Sequence, residues 1–469
     1  MSYAILDHRG LKFGYDAVKP DGRRKMPVSI LRSEDRELWP YERQQLVVGG
    51  RDIQRNYTIA AWMIRKHLDF VSTFVFHPKT GDKEMDTRLA QFMTWYSQPD
   101  NCDLAGRHGL AKIIRLCEAR RTVDNDVFLQ KLSDGRLAAI EGDRVRMPFG
   151  GINAEDFAFY EGLGLSLADF IHGVLVGSTG RAMAYCVCKR FVQGFGFTYD
   201  RLVPAKYIEH HGYFDRFDQV RGVSPLASAL NVLRDTYEGF DLALAKMKVT
   251  QLFALAFYRD ATEPVEGTGY DIDFSRKAPI KLDLDPGDRA EFLESKHPST
   301  EMQAFSNLMI AVALKALDIP FSFYDESHTN FYGSRGAYLQ YENSADIKRA
   351  DNRNLLDRIT SWRLGLAVVD GEIELPAGWT FDRLKWEWVN KGVAWIDPMK
   401  EVSADCAAIG AGFMSTPEVA KVRGRDADDV LSEEVNFQKR RMEAYRAAGL
   451  PMPVAPGINY TEVNNEQTK

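Results

Sequence analysis

The sequence predicts an α+β chain in which a mixed body carries a stalk: two long helices lead out to a small module and back. Three observations predict this. Within 123–220, short apolar runs flank turns that contain glycine. After Ser224-Pro225, apolar residues step by four and three as far as Met247. Residues 259–299 are then broken by Pro264, Gly267, Gly269, Pro279, Pro286, Gly287 and Pro298, and a second helical pattern follows.

Residues 1–50 are polar and interrupted by Gly and Pro, so they read as an N-terminal arm. Helical spacing covers Asn56 to Phe76, with Ile59, Trp62, Met63 and Lys66 on one side, and a second helix is expected over Met85–Tyr96. Residues 123–220 read mostly as strands. Val127–Leu132 and Leu137–Val145 flank Ser133-Asp134-Gly135, and Val174–Gly177 and Ala182–Lys189 flank Ser178-Thr179-Gly180.

Ser224-Pro225 is a helix start, a capping hydroxyl followed by proline in the first turn. Leu226, Leu230, Leu233, Tyr237, Phe240, Leu244 and Met247 then form a heptad stripe on a helix reaching about Thr250. At 1.5 Å per residue that helix is roughly 39 Å long. So narrow a stripe suits neighbouring helices, in the same chain or in another copy. The segment Glu263, Glu266, Asp271, Asp273 is acidic and expected to be exposed. A further helix spans about Glu301–Leu317, with Met302, Phe305, Met309, Val312 and Ala316 in step, and Asp318-Ile319-Pro320 ends it. A polar and aromatic loop runs from Phe321 to Gly333. Ser334 is placed to cap a third long helix reaching towards Trp362, with a charged middle over Lys348–Arg353.

Composition sets limits on function. The chain has 469 residues, 45% of them hydrophobic, enough for more than one domain. Its net charge of -6 argues against a protein that grips nucleic acid over its whole surface, because phosphate neutralisation needs clustered Lys and Arg. A surface that lets DNA slide past is compatible with it. Five cysteines, Cys102, Cys117, Cys186, Cys188 and Cys406, show neither a disulfide framework nor zinc spacing, which suggests a reducing compartment. Met1–Phe13 has no signal-peptide pattern, and the longest apolar stretch, near Leu252–Phe257, is too short to span a bilayer.

Enzyme chemistry finds little support. His210 and His211 would point to opposite faces of a strand, so they cannot easily share a metal. Cys186 and Cys188 would share a face but lack a second ligand pair, and read as packed thiols. Gly162-Leu163-Gly164 is a fragment of a phosphate loop without the Lys-Ser/Thr that would complete it. Asp283, Asp285 and Asp288 are interrupted by Pro286-Gly287 and read as a turn. No catalytic residue, metal or cofactor is expected.

Several segments together resemble a known family. These are Leu202-Val203-Pro204-Ala205 through Ile208 and His210, then Arg221-Gly222-Val223-Ser224-Pro225-Leu226, then Leu284-Asp285-Pro286-Gly287 with Pro298 and Phe305. Ala316-Leu317-Asp318-Ile319-Pro320, Asn330-Phe331-Tyr332-Gly333-Ser334-Arg335, Trp395-Ile396-Asp397-Pro398-Met399-Lys400-Glu401 and Gly424-Arg425-Asp426 follow. In this order and spacing, over about 50–450, they resemble lambda-type phage portal proteins. The chain departs from that pattern in having Gly333-Ser334 where the family often has two serines, and its C-terminal part is short for a large crown.

The resemblance implies a portal fold: an N-terminal arm (1–50), an α/β wing (51–223), a first stem helix (224–250) and a small α/β clip (251–299). A second stem helix (300–317), a tunnel loop (318–335), a long kinked helix returning through the wing (336–400) and a short helical crown region with a tail (401–469) would follow. It implies a structural protein of the virion, assembled in the bacterial cytoplasm, whose copies, typically twelve, form a ring at one capsid vertex. DNA would pass through that ring during packaging and ejection. Expected partners are the large terminase, the major capsid protein and scaffold, and the neck proteins, with no membrane. His328, Asn330, Tyr332 and Arg335 would lie nearest DNA, with Lys348 and Arg349 as further channel candidates. The acidic stretch Glu263, Glu266, Asp271, Asp273 would be the docking face for the motor. Leu226, Leu230, Leu233, Tyr237, Phe240, Met302, Phe305, Met309 and Val312 would pack the stem. Another head–tail or baseplate ring protein is the alternative, and a metal-dependent nuclease a distant third.

Overall fold

A computed structural model describes residues 32–148, 150–191, 196–252, 255–259, 288–292, 300–325, 331–390 and 398–450. It mixes helices and strands, as an α+β chain should. The chain divides into two compact units. The first comprises Met1–Asp52, Arg120–Phe128 and Ile140–Ala227, and the second Ile53–Ala119, Leu129–Ala139 and Ser228–Lys469.

The first unit is built on an antiparallel sheet of four strands in the order Phe170–Ile171, Val174–Val176, Ala182–Arg190, Phe197–Pro204. Both of its tight turns follow from glycine. His172-Gly173 joins the first two strands with φ of 49° and 87°, the pair of left-handed residues that a two-residue hairpin favours. The Ser178-Thr179-Gly180 turn closes as the sequence predicts, with Gly177 N donating to Arg181 O and Gly180 at φ 80°. Inward residues of the strands meet in a core of Phe128, Ile140, Val145, Val174, Tyr185, Val187, Val203 and Ile208. Leu175 and Ala184 face the other way and pack against Phe157 and Tyr160 of helix Ala154–Glu161, an element that the strand reading of 123–220 did not contain.

Residues 40–50 are not part of a loose arm. Helix Pro40–Asn56 brings Arg43, Val47 and Ile53 inward, each less than one-tenth exposed. Arg43 and Val47, four residues apart, lie on one helical face. A Cβ on Gly50 would lie 2.5 Å from Val123 O, so the glycine sets how closely the helix approaches.

The second unit centres on helix Phe331–Val369. Its inner face carries Tyr341, Ala345, Arg349, Asn352, Leu356, Ile359, Arg363 and Ala367, in steps of three and four. It packs on helix Thr58–Val71. The helix begins three residues before Ser334, which therefore sits inside the first turn rather than capping it, and it runs seven residues past Trp362. The helix expected over Asn56–Phe76 stops at Val71. Phe74–Pro78 is instead a strand paired antiparallel with Trp386–Asn390, as its alternating aromatic and β-branched residues favour. Helix Lys83–Tyr96 agrees with expectation. Leu230–Leu252 is helical, preceded by a 3₁₀ turn over Pro225–Ser228, and it packs on helix Thr300–Leu314. Between these two helices in sequence, Leu255–Arg259 and Asp288–Phe292 form an antiparallel pair. Helices Pro398–Gly410, Thr416–Val422 and Ala427–Ala447 close the described chain and contain no buried residue.

Candidate functional site

The segment Arg221-Gly222-Val223-Ser224-Pro225 is held by a buried ionic hub in the first unit. Asp126 has no exposed side-chain surface. Arg221 Nε donates to its Oδ2 at 2.6 Å and Nη2 to its Oδ1 at 2.8 Å, a bidentate pair. Arg43 Nη2 adds a contact at 3.0 Å, Gly222 N one at 3.2 Å, and His210 Nε2 lies 3.2 Å away. Arg221 also donates to the carbonyls of Val145, His172 and Gly142, and Arg43 to that of Gly222. Burial alone would push the Asp126 carboxyl up, but Arg221 and Arg43 outweigh it and hold the group well below the usual carboxylate range. Burial lowers the Arg43 guanidinium to about 10, so it stays charged at neutral pH. His210 shifts the other way from a salt-bridged imidazole: burial lowers its pKa despite Asp126.

The residues that follow Arg221 in the chain are also fastened. Ser224 Oγ donates to Thr122 O and accepts from Leu226 N, and Ser224 N donates to Asn125 Oδ1 at 2.9 Å. Gly222 is obligatory here, because a Cβ would meet Asn125 O at 2.4 Å. The serine cap is thus one part of a wider fastening.

The stripes on the two stalk helices have separate fates. Leu226, Leu230 and Leu233 are buried, and Tyr237 accepts a hydrogen bond from Ile59 N and rests 4.3 Å from the Tyr57 ring. Phe240 is partly exposed, and further on Leu242 and Leu244 are 72% and 48% exposed. On helix Thr300–Leu314 the buried face is Ile310, Ala313 and Leu314. Met302 and Met309 are partly exposed, whereas Phe305, Leu308 and Val312 are 62%, 59% and 51% exposed. On this second helix the chain's own core takes a face adjacent to the stripe that periodicity singles out and leaves Phe305 and Val312 exposed, whereas the start of the first stripe is buried.

The loop after Leu317 is anchored at its start. Asp318 adopts φ 61°, and Ile319 N donates back to Leu314 O, so the helix ends in a left-handed residue. Lys348 Nζ, from the long helix, donates to Leu317 O at 3.0 Å and to Asp318 Oδ2 at 2.8 Å, and Ser344 Oγ donates to the same oxygen. Arg349, 6% exposed, donates to Phe70 O and binds the Glu342 carboxylate. Arg335 lies in the first turns of the long helix and is partly exposed; Tyr332 is on the same helix. His328 and Asn330 lie outside the described residues, as do Glu263, Glu266, Asp271 and Asp273.

Two side chains central to this geometry, Asp126 and Arg43, are absent from the sequence reading. Nothing local marks them, since their partners lie far along the chain. Among the described residues no group of His, Cys, Asp and Glu is placed to hold a metal, and no helix is long and apolar enough to cross a membrane. Cys186 and Cys188 are buried, and the Cys188 thiol donates to Arg146 O.

Comparison with known proteins bears on residues 23–349, which match the family model of phage portal proteins, lambda family. A probable portal protein of Halomonas phage phiHAP-1 is 24% identical over 430 residues, covering 82% of this chain and 77% of the relative. Among solved structures, the neck of an empty GTA particle computed with C6 symmetry contains a chain that aligns with 80% of this one. The alignment covers 93% of that chain, at 13% identity and a TM-score of 0.47. A chain from the virion of the native gene transfer agent (GTA) particle aligns with 82% of this one, covering 93% of that chain, again at 13% identity and a TM-score of 0.47.

Proposed function

The chain belongs to the lambda family of phage portal proteins, and from that membership we propose that its copies close into a ring at one capsid vertex through which DNA is packaged and ejected. Family membership supports reading it as a structural component of a virion's portal vertex. Twelve copies are the expected number. The ring assembles in the bacterial cytoplasm with capsid and scaffold protein, docks the large terminase, and later receives neck proteins.

The observation that carries the ring is the uncovered apolar surface of the two stem helices. Leu242, Leu244, Phe305, Leu308 and Val312 are each close to half exposed or more. Apolar surface on this scale marks an interface more often than a solvated face. In a closed ring each stem packs on the next copy, and these side chains form the seam. Residues 318–335 narrow the channel, with His328, Asn330, Tyr332 and Arg335 nearest DNA. Lys348 and Arg349 are further channel candidates; Lys348 also holds Asp318 at the start of the loop, and Arg349 holds the backbone at Phe70. The acidic stretch Glu263, Glu266, Asp271, Asp273 within the clip is the docking face for the motor. A conduit needs few phosphate contacts, because each one adds to a salt-dependent grip that would stall sliding.

Electron microscopy of the purified protein with mass measured in parallel tests this reading. Rings of about a dozen copies around a duplex-wide hole are expected, and Phe305→Glu with Val312→Glu should yield folded single subunits. A wild-type protein that stays monomeric at every concentration and salt, and also in the presence of scaffold and capsid protein, would overturn it.

A further inference from the structure

The first unit encloses a cavity of about 270 Å³ between helix Pro40–Asn56, the Phe170–Val176 hairpin and the segment after Gly142. Its walls include Val47, Val48, Val145, Met147, Phe170 and Phe197. At its mouth Val48 and Met147 are 52% and 37% exposed. Four arginines also line it, and three are already occupied. Arg43 and Arg221 belong to the Asp126 hub, and Arg51 is clasped by Asp124, Glu141 and Asp143.

Arg146 differs. Its guanidinium lies 4.5 Å from the centre of the Phe197 ring, and among the described residues no carboxylate pairs with it. A guanidinium with one face on a ring keeps its N–H edge free for an anion in its own plane. Its backbone is firmly placed. Arg146 N donates to Cys186 O and Arg146 O accepts from the Cys188 thiol. Gly173, at φ 87°, comes so close that a Cβ there would lie 2.4 Å from Arg146 N. The left-handed His172 beside it also lines the cavity, and Arg221 holds its carbonyl.

We propose that this cavity receives an acidic peptide segment of a partner protein, with an apolar side chain between Val48 and Phe170 and the adjacent carboxylate on Arg146. The volume suits one or two side chains and falls short of the roughly 300 Å³ at which sites for drug-sized ligands begin. A nucleic-acid backbone is a poorer match: the walls are apolar and the remaining cation is single, whereas phosphate tracking needs several. The carboxylate is either that of an Asp or Glu side chain or that of a chain terminus. The inference stands apart from the ring, since it uses residues of one unit of one copy.

The test is calorimetric titration of the full chain with N-acetyl-Leu-Asp-amide, which carries a side-chain carboxylate, and with N-acetyl-Leu-Leu, which carries a terminal one. N-acetyl-Leu-Asn-amide is the uncharged control. One or both acids should bind, with the tighter one naming the source, and the control should be weaker by about tenfold, the scale of one charged hydrogen bond. Arg146→Gln should weaken the acid by a similar factor, and Val48→Lys, outside the hub, should block the mouth while the melting temperature holds. The proposal fails if no peptide binds, if the control binds as tightly as the acids, or if Val48→Lys leaves binding unchanged. It also fails if a short duplex or inorganic phosphate binds while the peptides do not.

Discussion

Arg221 grips both oxygens of Asp126 from a position 95 residues further along the chain, and neither side chain reaches solvent. A buried pair of this kind adds little over a well-packed apolar substitute, but removing one partner strands the other. Arg221→Met should therefore cost about 3–5 kcal/mol. Arg221→Met with Asp126→Leu should cost clearly less than the sum of the two single changes. Urea unfolding of all three variants reads this, and simple additivity would show that the pair is not coupled.

Acid should weaken the first unit in two stages. His210 and His172 are both lowered, mainly by burial, so the unfolded chain binds more protons just below its imidazole value of about 6.5. Stability then rises with pH through that window and falls on acidification. The Asp126 contribution is present above about 3.9, the unfolded carboxyl value, and disappears only at lower pH. Melting temperatures between pH 4.5 and 7.5 should show the first stage, and His210→Gln should flatten part of it. A wild-type profile flat over this range contradicts the assignment.

Asp318 occupies a left-handed conformation that costs an ordinary side chain about 1–2 kcal/mol. It also receives Lys348 and Ser344. Burial pushes its carboxyl up, and those two hydrogen bonds more than offset that and hold it low. Asp318→Gly should relieve the backbone while losing the bonds and come out near neutral. Asp318→Ala should lose the bonds and keep the backbone cost, and be the worse of the two. Hydrogen exchange of the amides over 314–325 separates them, and equal protection in both variants would deny the backbone term.

Arg363 lies between a glycine and three aromatic rings. Its guanidinium is 4.8, 5.7 and 5.4 Å from the rings of Phe92, Trp95 and Tyr96, and a Cβ on Gly135 would come within 2.8 Å of its Nε. Gly135→Ala combines that clash with φ 83° and should cost at least the roughly 1–2 kcal/mol of the left-handed backbone. Arg363→Lys should also destabilise, because a point charge cannot stack. Thermal melts of both variants check this, and unchanged midpoints would refute it.

The hairpins were legible because their glycines sit where a turn needs positive φ, at Gly135 and Gly180. Helices Leu230–Leu252 and Thr300–Leu314 were legible from their period. Periodicity marks an apolar face without saying whose surface covers it, which is why Leu233 and Val312 look alike in sequence and differ so much in exposure. Helix Pro40–Asn56 escaped because its inward residues include the cation Arg43, which reads as polar until Asp126 is beside it, 83 residues away. The expected channel and docking residues His328, Asn330, Glu263, Glu266, Asp271 and Asp273 fall outside the described residues.

The hub also imposes an order on synthesis. Asp126 leaves the ribosome long before Arg221, and Arg43 waits 179 residues for the carbonyl of Gly222. Until then the nascent chain holds a carboxylate and a guanidinium that have each other but not the clamp that encloses them. Contacts this distant in sequence are slow to form, because a long loop must close before they reward it. The first unit therefore matures as a whole only after Gly222 has emerged. A chain released before that point carries the strands of its sheet without the Arg221 clamp and is a natural client for chaperones.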